Sequence, residues 1–474
     1  MSNYNNSKSG DRFLFLSIAV LLVNLISQVA AFPLQCVLLT YAVIKSDIRL
    51  FPGMYLLMLD KSNFTYLEAN AIKFNIGFAV SPQNVFLIVC FFLCLIGVFK
   101  RWYDSRTMPW LIPWMSCIVP AFAIALSARS DGLTSVWQVS LVDFLTPALY
   151  FWGIGVARTW DNGKEYFIKR MIILCTILDI LSFLGMFYMF SFAPFVMTLA
   201  LLVGAIILKV GIIYAILGTL GTFSSLLNVL FSRYLGAMDA HGYASLVDLG
   251  SSFTTVMVAI FGIVFSCYFW MNNANRDIIR RIPYFALVFC VSVFVYSVSR
   301  ASTTVVDYAL TNQESRTIFE RFEHKLIGDR GQLWKASIEE ALKEPLVFRE
   351  PRLQLQMRYN PESCAFEYMP AVPPHNQVLT QLVRNGWWMG LFMVLFLWWT
   401  HVRAFIVAAD MVWDKVSLCV LLAPSAAVFI PVGLTGQTVL NANFCGNALV
   451  TMVFPGIIYG VWQCRREMHW SLGG

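Results

Sequence analysis

Three arginines and one histidine, each set in a short polar motif at the edge of an apolar run or in one long polar segment, are the residues best suited to chemistry. Arg233 directly follows an apolar stretch in Ser232-Arg233-Tyr234-Leu235-Gly236, and Arg300 ends another in Ser297-Val298-Ser299-Arg300-Ala301-Ser302. Arg330 stands in Gly328-Asp329-Arg330-Gly331-Gln332-Leu333-Trp334, and His375 in Pro373-Pro374-His375-Asn376-Gln377. Guanidinium groups offer planar forks that match phosphate and diphosphate oxygens, while a neutral imidazole takes a proton from an attacking hydroxyl near neutral pH. The two prolines stiffen the approach to His375, and a helix formed by residues 377–385 would hold its position. A plainer reading stands beside this one: Arg233 and Arg300 also suit snorkelling anchors at helix ends, and Arg330 an ordinary loop partner of Asp329. No pair of carboxylates stands out as a catalytic dyad, and a phosphate-binding glycine loop, a HExxH helix and a Gly-x-Ser-x-Gly elbow are missing from the sequence.

The elements that must position these residues are membrane helices. Hydrophobic residues make up 58% of the 474-residue chain and charged residues 13%, and the mean hydropathy is +0.67, which points to lipid as the solvent. A helix needs about 20 apolar residues to cross the hydrocarbon core, so a chain of this length allows roughly a dozen spans. Apolar runs lie near residues 13–32, 84–99, 109–127, 138–157, 171–190, 195–208, 210–231, 253–270, 283–299, 387–408, 416–433 and 447–463. Lys45, Asp47 and Arg49 interrupt residues 33–59, which read as two short segments returning to one side. Lys8 and Arg12 before the first run resemble the start of a signal peptide, but the many later spans favour an uncleaved first helix. Cys90, Cys94, Cys117, Cys175, Cys267, Cys290 and Cys419 fall inside apolar runs as small buried hydrophobes, with no disulfide framework and no metal site implied.

The formal net charge of +7 would suggest nucleic acid in a soluble protein; here the basic residues flank apolar runs and set orientation instead. Placing the clusters around Lys100, Arg158, Arg276 and Arg465 on the cytoplasmic side preserves strict alternation of the spans. The short connection at Lys209 is the link on which all later assignments depend. The same count puts residues 232–252, 300–386 and 434–446 outside. Residues 300–386 carry eleven basic and eleven acidic residues, more than a third of all charges in the chain. The chain therefore divides into N-terminal helices (1–299), one large outer loop (300–386), and C-terminal helices with a cytoplasmic tail (387–474). Inside the loop, Trp334, Ile338 and Leu342 recur at helical spacing opposite Glu339, Glu340 and Lys343, which predicts an amphipathic helix over the membrane domain, ended by Pro345.

The order of these motifs resembles the O-antigen ligase and polymerase superfamily of bacterial lipid-linked glycan transferases. The elements that carry the resemblance are Arg330 with Trp334, Pro345, His375-Asn376 with Leu379, Leu382 and Gly386, Ser299-Arg300-Ala301, and Arg233 with Gly236. They cover roughly residues 230–400. Where that family often carries Pro-Asn after its Arg-x-x-Gly element, this chain has Ala240-His241-Gly242-Tyr243-Ala244, and no Gly follows Pro345. The resemblance implies an all-α inner-membrane protein of about 12 transmembrane helices with its site facing the periplasm. It further implies a glycan donor on undecaprenyl diphosphate, and no cofactor, metal or nucleic acid. On that basis Arg233, Arg300 and Arg330 would hold the diphosphate and His375 would be the general base. His241 and Asn376 are further candidates for substrate contact, with a structural hydrogen bond the alternative for His241. The acceptor is a growing exopolysaccharide or O-antigen chain in a polymerase and the lipid A core in a ligase. A transporter or flippase, using Asp143, Asp179 and Lys209 as an ion pathway, is the reading from a different class.

Overall fold

The computed structural model describes residues 2–59, 74–75, 79–80, 82–99, scattered positions between 103 and 118, 144–184, 186, 193–235, 249–271, 275–300, 331–343, 355–360, 365–370, 376–435 and 448–472. Among them the chain is helical apart from two small antiparallel hairpins, the first formed by β1 (Phe74–Asn75) and β2 (Ala79–Val80). The helices are α1 (Ser2–Ile26), α2 (Gln28–Lys45), α3 (Phe51–Leu57), α4 (Pro82–Phe99), α5 (Pro147–Val156), α6 (Trp160–Phe183), α7 (Ala193–Leu208), α8 (Ile212–Leu235), α9 (Leu249–Trp270) and α10 (Arg276–Arg300). They continue with α11 (Gln332–Lys343), α12 (Gln377–Ala409), α13 (Ala423–Thr435) and α14 (Phe454–Leu472). The last two are each entered through a π-helical turn, Leu418–Leu422 and Leu449–Val453.

Four stretches are long and apolar enough to cross a membrane: Lys8–Ile26, Gln28–Lys45, Arg276–Arg300 and Gly386–Ala409. This is the pattern of a multi-pass membrane protein. Large apolar side chains face outward along these helices, as Phe285, Val288, Val291 and Val295 do on α10. Such a surface is costly in water and natural against acyl chains.

Gln28–Lys45 corrects one expectation. The first apolar run does not continue to residue 32: Ser27 leaves helical geometry and its hydroxyl accepts from the Ala30 amide, starting a second full-length helix. Of the charges that had argued against a span, Lys45 ends the helix, and Asp47 and Arg49 sit in the turn beyond it, where Asp47 binds the Arg49 guanidinium and the Ile48 amide donates to Thr159 Oγ1 at 3.0 Å. Behind that turn α3 is a short, fully buried helix whose end, the Leu57 carbonyl, takes a hydrogen bond from Gln35 Nε2, half-way along α2.

Close contacts fix the direction of the later helices. Along α8, Gly218 lies against Ile172 and Leu202, and Gly221 against Thr176 and Thr198. Thus α6 and α8 run the same way, with α7 antiparallel between them. The turn at Lys209, with φ 52°, and Gly211, with φ 131°, closes the α7–α8 hairpin. His401 reaches Ser425 and Trp398 packs on Phe429, which sets α13 antiparallel to α12. α5 and α14 run parallel and almost touch: a Cβ on Gly153 would stand 2.4 Å from the Val453 carbonyl, and one on Gly456 2.2 Å from the Tyr150 carbonyl. In lipid, where apolar burial gives no gain, such backbone proximity is what holds helices together.

The bundle consequently has two distinct ends. At the charged end Arg465 joins Asp161 and Asp414, Arg276 and Arg280 both bind Asp410, and Arg170 binds Asp11. Asp414 also accepts from the Ser417 amide and hydroxyl, and Ser417 in turn accepts from Trp160 Nε1 at 2.8 Å. Burial pushes the Asp161 carboxyl upward, but Lys164 and Arg465 outweigh it and hold it below its usual value. The basic segments at 158–170, 276–281 and 465 thus share one end, as alternation requires; Lys100, Arg101 and Arg106 lie outside the described residues. Of the cysteines expected to be buried, Cys267 is exposed and the other six are buried, because Cys267 points away from the helices that flank α9.

Candidate active site

The opposite end of the bundle receives the C-terminus of α10, the C-terminus of α8, and the start of α12. Arg300 is the last residue of α10 and is exposed, with its guanidinium 6.0 Å from the Tyr296 ring. Just before it the Ser297 and Ser299 hydroxyls donate back to the Val293 and Tyr296 carbonyls. Arg300 makes no ion pair with any described residue, unlike Arg170, Arg276, Arg280 and Arg465 at the charged end. Arg233 lies in the last turn of α8, at this same end, and only its backbone is described.

α11 docks onto this end through one aromatic side chain. Trp334, 1% exposed, stacks on Phe294 of α10 with ring centroids 5.2 Å apart and also touches Leu379 of α12, with Val298 and Ile338 closing the cluster. Trp334 and Ile338 are four residues apart and so share the inner face, as the spacing predicts. Leu342 does not join them: it is 58% exposed. The last turn of α11 is held differently, by Trp387 Nε1 donating to the Ala341 carbonyl at 3.1 Å.

α12 begins as a separate arm. Gly386, with φ 69° and ψ 176°, breaks it from the span Gly386–Ala409, a conformation only glycine adopts readily. The arm folds back so closely that a Cβ on Gly390 would meet the Gln381 carbonyl at 2.5 Å. At the arm's start, Asn376 is the N-cap: its Oδ1 accepts from the Val378 and Leu379 amides at 3.0 and 3.2 Å, and Asn376 is buried. Asn376 is a candidate for substrate contact, and its amide oxygen caps the helix, which fixes the backbone immediately after residue 375.

Arg330, His375 and His241 lie outside the described residues. Gly331 directly precedes α11 and Asn376 caps α12, and these two helices meet through Trp334 and Leu379. The loop between them adds a feature that the helical expectation missed. β3 (Leu355–Asn360) and β4 (Ala365–Pro370) form an antiparallel hairpin pairing Leu355 with Pro370 and Asn360 with Ala365. The alternation Leu-Gln-Met-Arg-Tyr-Asn in β3 is the signal that marks it. The two described ion-pathway residues are not gathered. Asp143 is outside the described residues, Asp179 is buried with Thr198 Oγ1 donating to it at 2.6 Å, and Lys209 is exposed in the α7–α8 turn. Asp179 stands about 28 Å along α6 from the charged end where Lys209 lies.

No protein-family model matches this chain, and no curated protein or solved structure matches it.

Proposed function

We propose that this chain is a membrane glycosyltransferase of about 12 spans. It would move a glycan from undecaprenyl diphosphate onto an acceptor hydroxyl at the periplasmic face of a bacterial inner membrane, as an exopolysaccharide or O-antigen polymerase. The observation that supports this best is the grouping at one end of the bundle. An arginine with no ion-pair partner among the described residues ends α10, a second arginine ends α8, and a capped arm starts directly after His375 in sequence.

In this mechanism the acceptor oxygen attacks the anomeric carbon from the face opposite the diphosphate. The carbon–oxygen bond to the diphosphate breaks, and undecaprenyl diphosphate leaves with the bonding electrons. The hydroxyl proton passes to the His375 imidazole, so the anomeric centre inverts. Arg233, Arg300 and Arg330 stabilise the negative charge that grows on the leaving group, which is the work a metal ion would otherwise do.

The test is transfer by purified protein in nanodiscs, with lipid-linked glycan as donor. His375→Ala should abolish turnover while leaving donor binding intact; full activity in that variant would remove the general-base assignment. Deleting the gene separates the two acceptors on a surface-polysaccharide gel: single repeat units indicate a polymerase, and accumulated lipid-linked polymer indicates a ligase acting on the lipid A core.

A further inference from the structure

Arg403 and Arg466 stand apart from the other arginines of the charged end. Arg170, Arg276, Arg280 and Arg465 each bind a carboxylate there, whereas Arg403 and Arg466 make no ion pair with any described residue. Both meet one indole instead: their guanidinium carbons lie 5.8 and 5.4 Å from the centre of the Trp462 ring. Tyr459, Trp462 and Arg466 follow at spacings of three and four, which places them on one face of α14. Arg403 reaches that face from α12, donating from Nη2 to Tyr459 Oη at 3.3 Å with its guanidinium carbon 5.1 Å from the Tyr459 ring. A snorkelling arginine keeps its head free in water. This one is pinned, half-buried, in the last turns of the span Gly386–Ala409. A guanidinium held at the edge of hydrocarbon with no carboxylate beside it favours an anion at its open side. Arg466 is exposed, so the pair is open to the surroundings. Leu391 and Leu395, on the same helix as Arg403, are exposed apolar side chains of the kind that acyl chains cover.

We propose that Arg403, Arg466 and Trp462 form a binding site for the phosphate of an anionic phospholipid in the leaflet at the charged end. The two planar forks take the phosphodiester oxygens, and the indole between them holds both guanidinium groups in place. Basic pockets between membrane helices suit anionic headgroups in this way. Free phosphate offers the same oxygens; the apolar flank of α12 favours the lipid, whose chains it can seat. A headgroup bound here touches α12 and α14 together and so ties the two helices at the membrane boundary. The site lies at the other end of the bundle from the proposed transfer chemistry and does not depend on it.

Native mass spectrometry of the purified full chain in detergent tests it with three probes: phosphatidylglycerol, phosphatidylcholine and inorganic phosphate. The wild-type protein is expected to hold phosphatidylglycerol more tightly than phosphatidylcholine, and inorganic phosphate at the same concentration is expected not to displace it. Arg403→Gln and Arg466→Gln should each weaken phosphatidylglycerol about tenfold, the worth of one charge-assisted hydrogen bond. Arg466 is exposed, so its variant keeps the fold and carries the test if Arg403→Gln does not fold. Arg280→Gln, which removes an arginine already paired with Asp410 at the same end, should leave the affinity unchanged. An equal loss in Arg280→Gln overturns the site, since it shows attraction to a basic surface at large. Undiminished binding by Arg466→Gln, or equal binding of the two lipids by the wild type, overturns it as well. Displacement by inorganic phosphate overturns the lipid as occupant and makes the site one for a free anion.

Discussion

Asn376→Ala should disable the arm without unfolding the bundle. The wild-type side chain satisfies two backbone amides, Val378 and Leu379, in a buried position. Loss of an N-cap of this kind costs about 2 kcal/mol, the upper end of the usual range, because water cannot readily replace the missing acceptor. The arm is short and ends at Gly386, so it has little helical stability of its own to absorb that cost. A loss of about 2 kcal/mol shifts its folded-to-frayed ratio roughly thirtyfold. Hydrogen exchange should report this directly: amides of residues 378–382 become about thirtyfold less protected, while those of the span after Gly386 are unaffected. Glycan transfer should fall in parallel, through kcat more than KM, because the base is no longer held in place. Asn376→Ser restores an acceptor of the right reach, and should recover both protection and activity. An inactive Asn376→Ser with a fully protected arm would refute the cap argument and return Asn376 to direct substrate contact.

Alkaline phosphatase fused after residue 300 should be active, and fused after Arg465 inactive, because the two positions lie at opposite ends of the bundle; equal activity contradicts the alternation. Arg465→Ala should lower thermal stability by about 3 kcal/mol, since it leaves Asp414, 5% exposed, without its cation. The Asp161 carboxyl is held below its usual value, so its contribution to stability is present at neutral pH and lost as pH falls through that lowered value. Melting curves between pH 6 and 3 should show this decline, and Arg465→Ala should flatten it. Gly456→Leu should separate α5 from α14 and abolish a folded, monodisperse protein in size-exclusion chromatography, because the Tyr150 backbone leaves no room for a side chain.

Hydropathy located the helices well because their boundaries follow apolar runs, and basic flanks ordered them because like ends of a bundle gather like charges. It failed at residues 28–45, where charged residues adjoin the run. One-dimensional counting cannot see that Asp47 and Arg49 neutralise each other in a turn. Arg300 was legible from its place at the end of an apolar run, and Trp334 and Ile338 from their spacing. Leu342 was misassigned because the third turn of α11 is held by a backbone carbonyl, which carries no sequence signal. The burial of Gln377 and Thr380 was missed for a related reason: a polar residue in a helix reads as solvent-facing, and only packing reveals that it is buried.

The pairing of Arg276 and Arg280 with Asp410 has a mechanical meaning. α10 and the span of α12 lie side by side and are riveted together there, at one extremity; their other extremities carry Arg300 and the arm. The pair is a set of tongs with its joint at Asp410 and its tips at the proposed site. Over the roughly 36 Å length of a 24-residue helix, a tilt of about 3° at the joint opens the tips by about 2 Å. That is enough to break a hydrogen bond, so a substitution at Asp410 should alter grip on a ligand that it never touches.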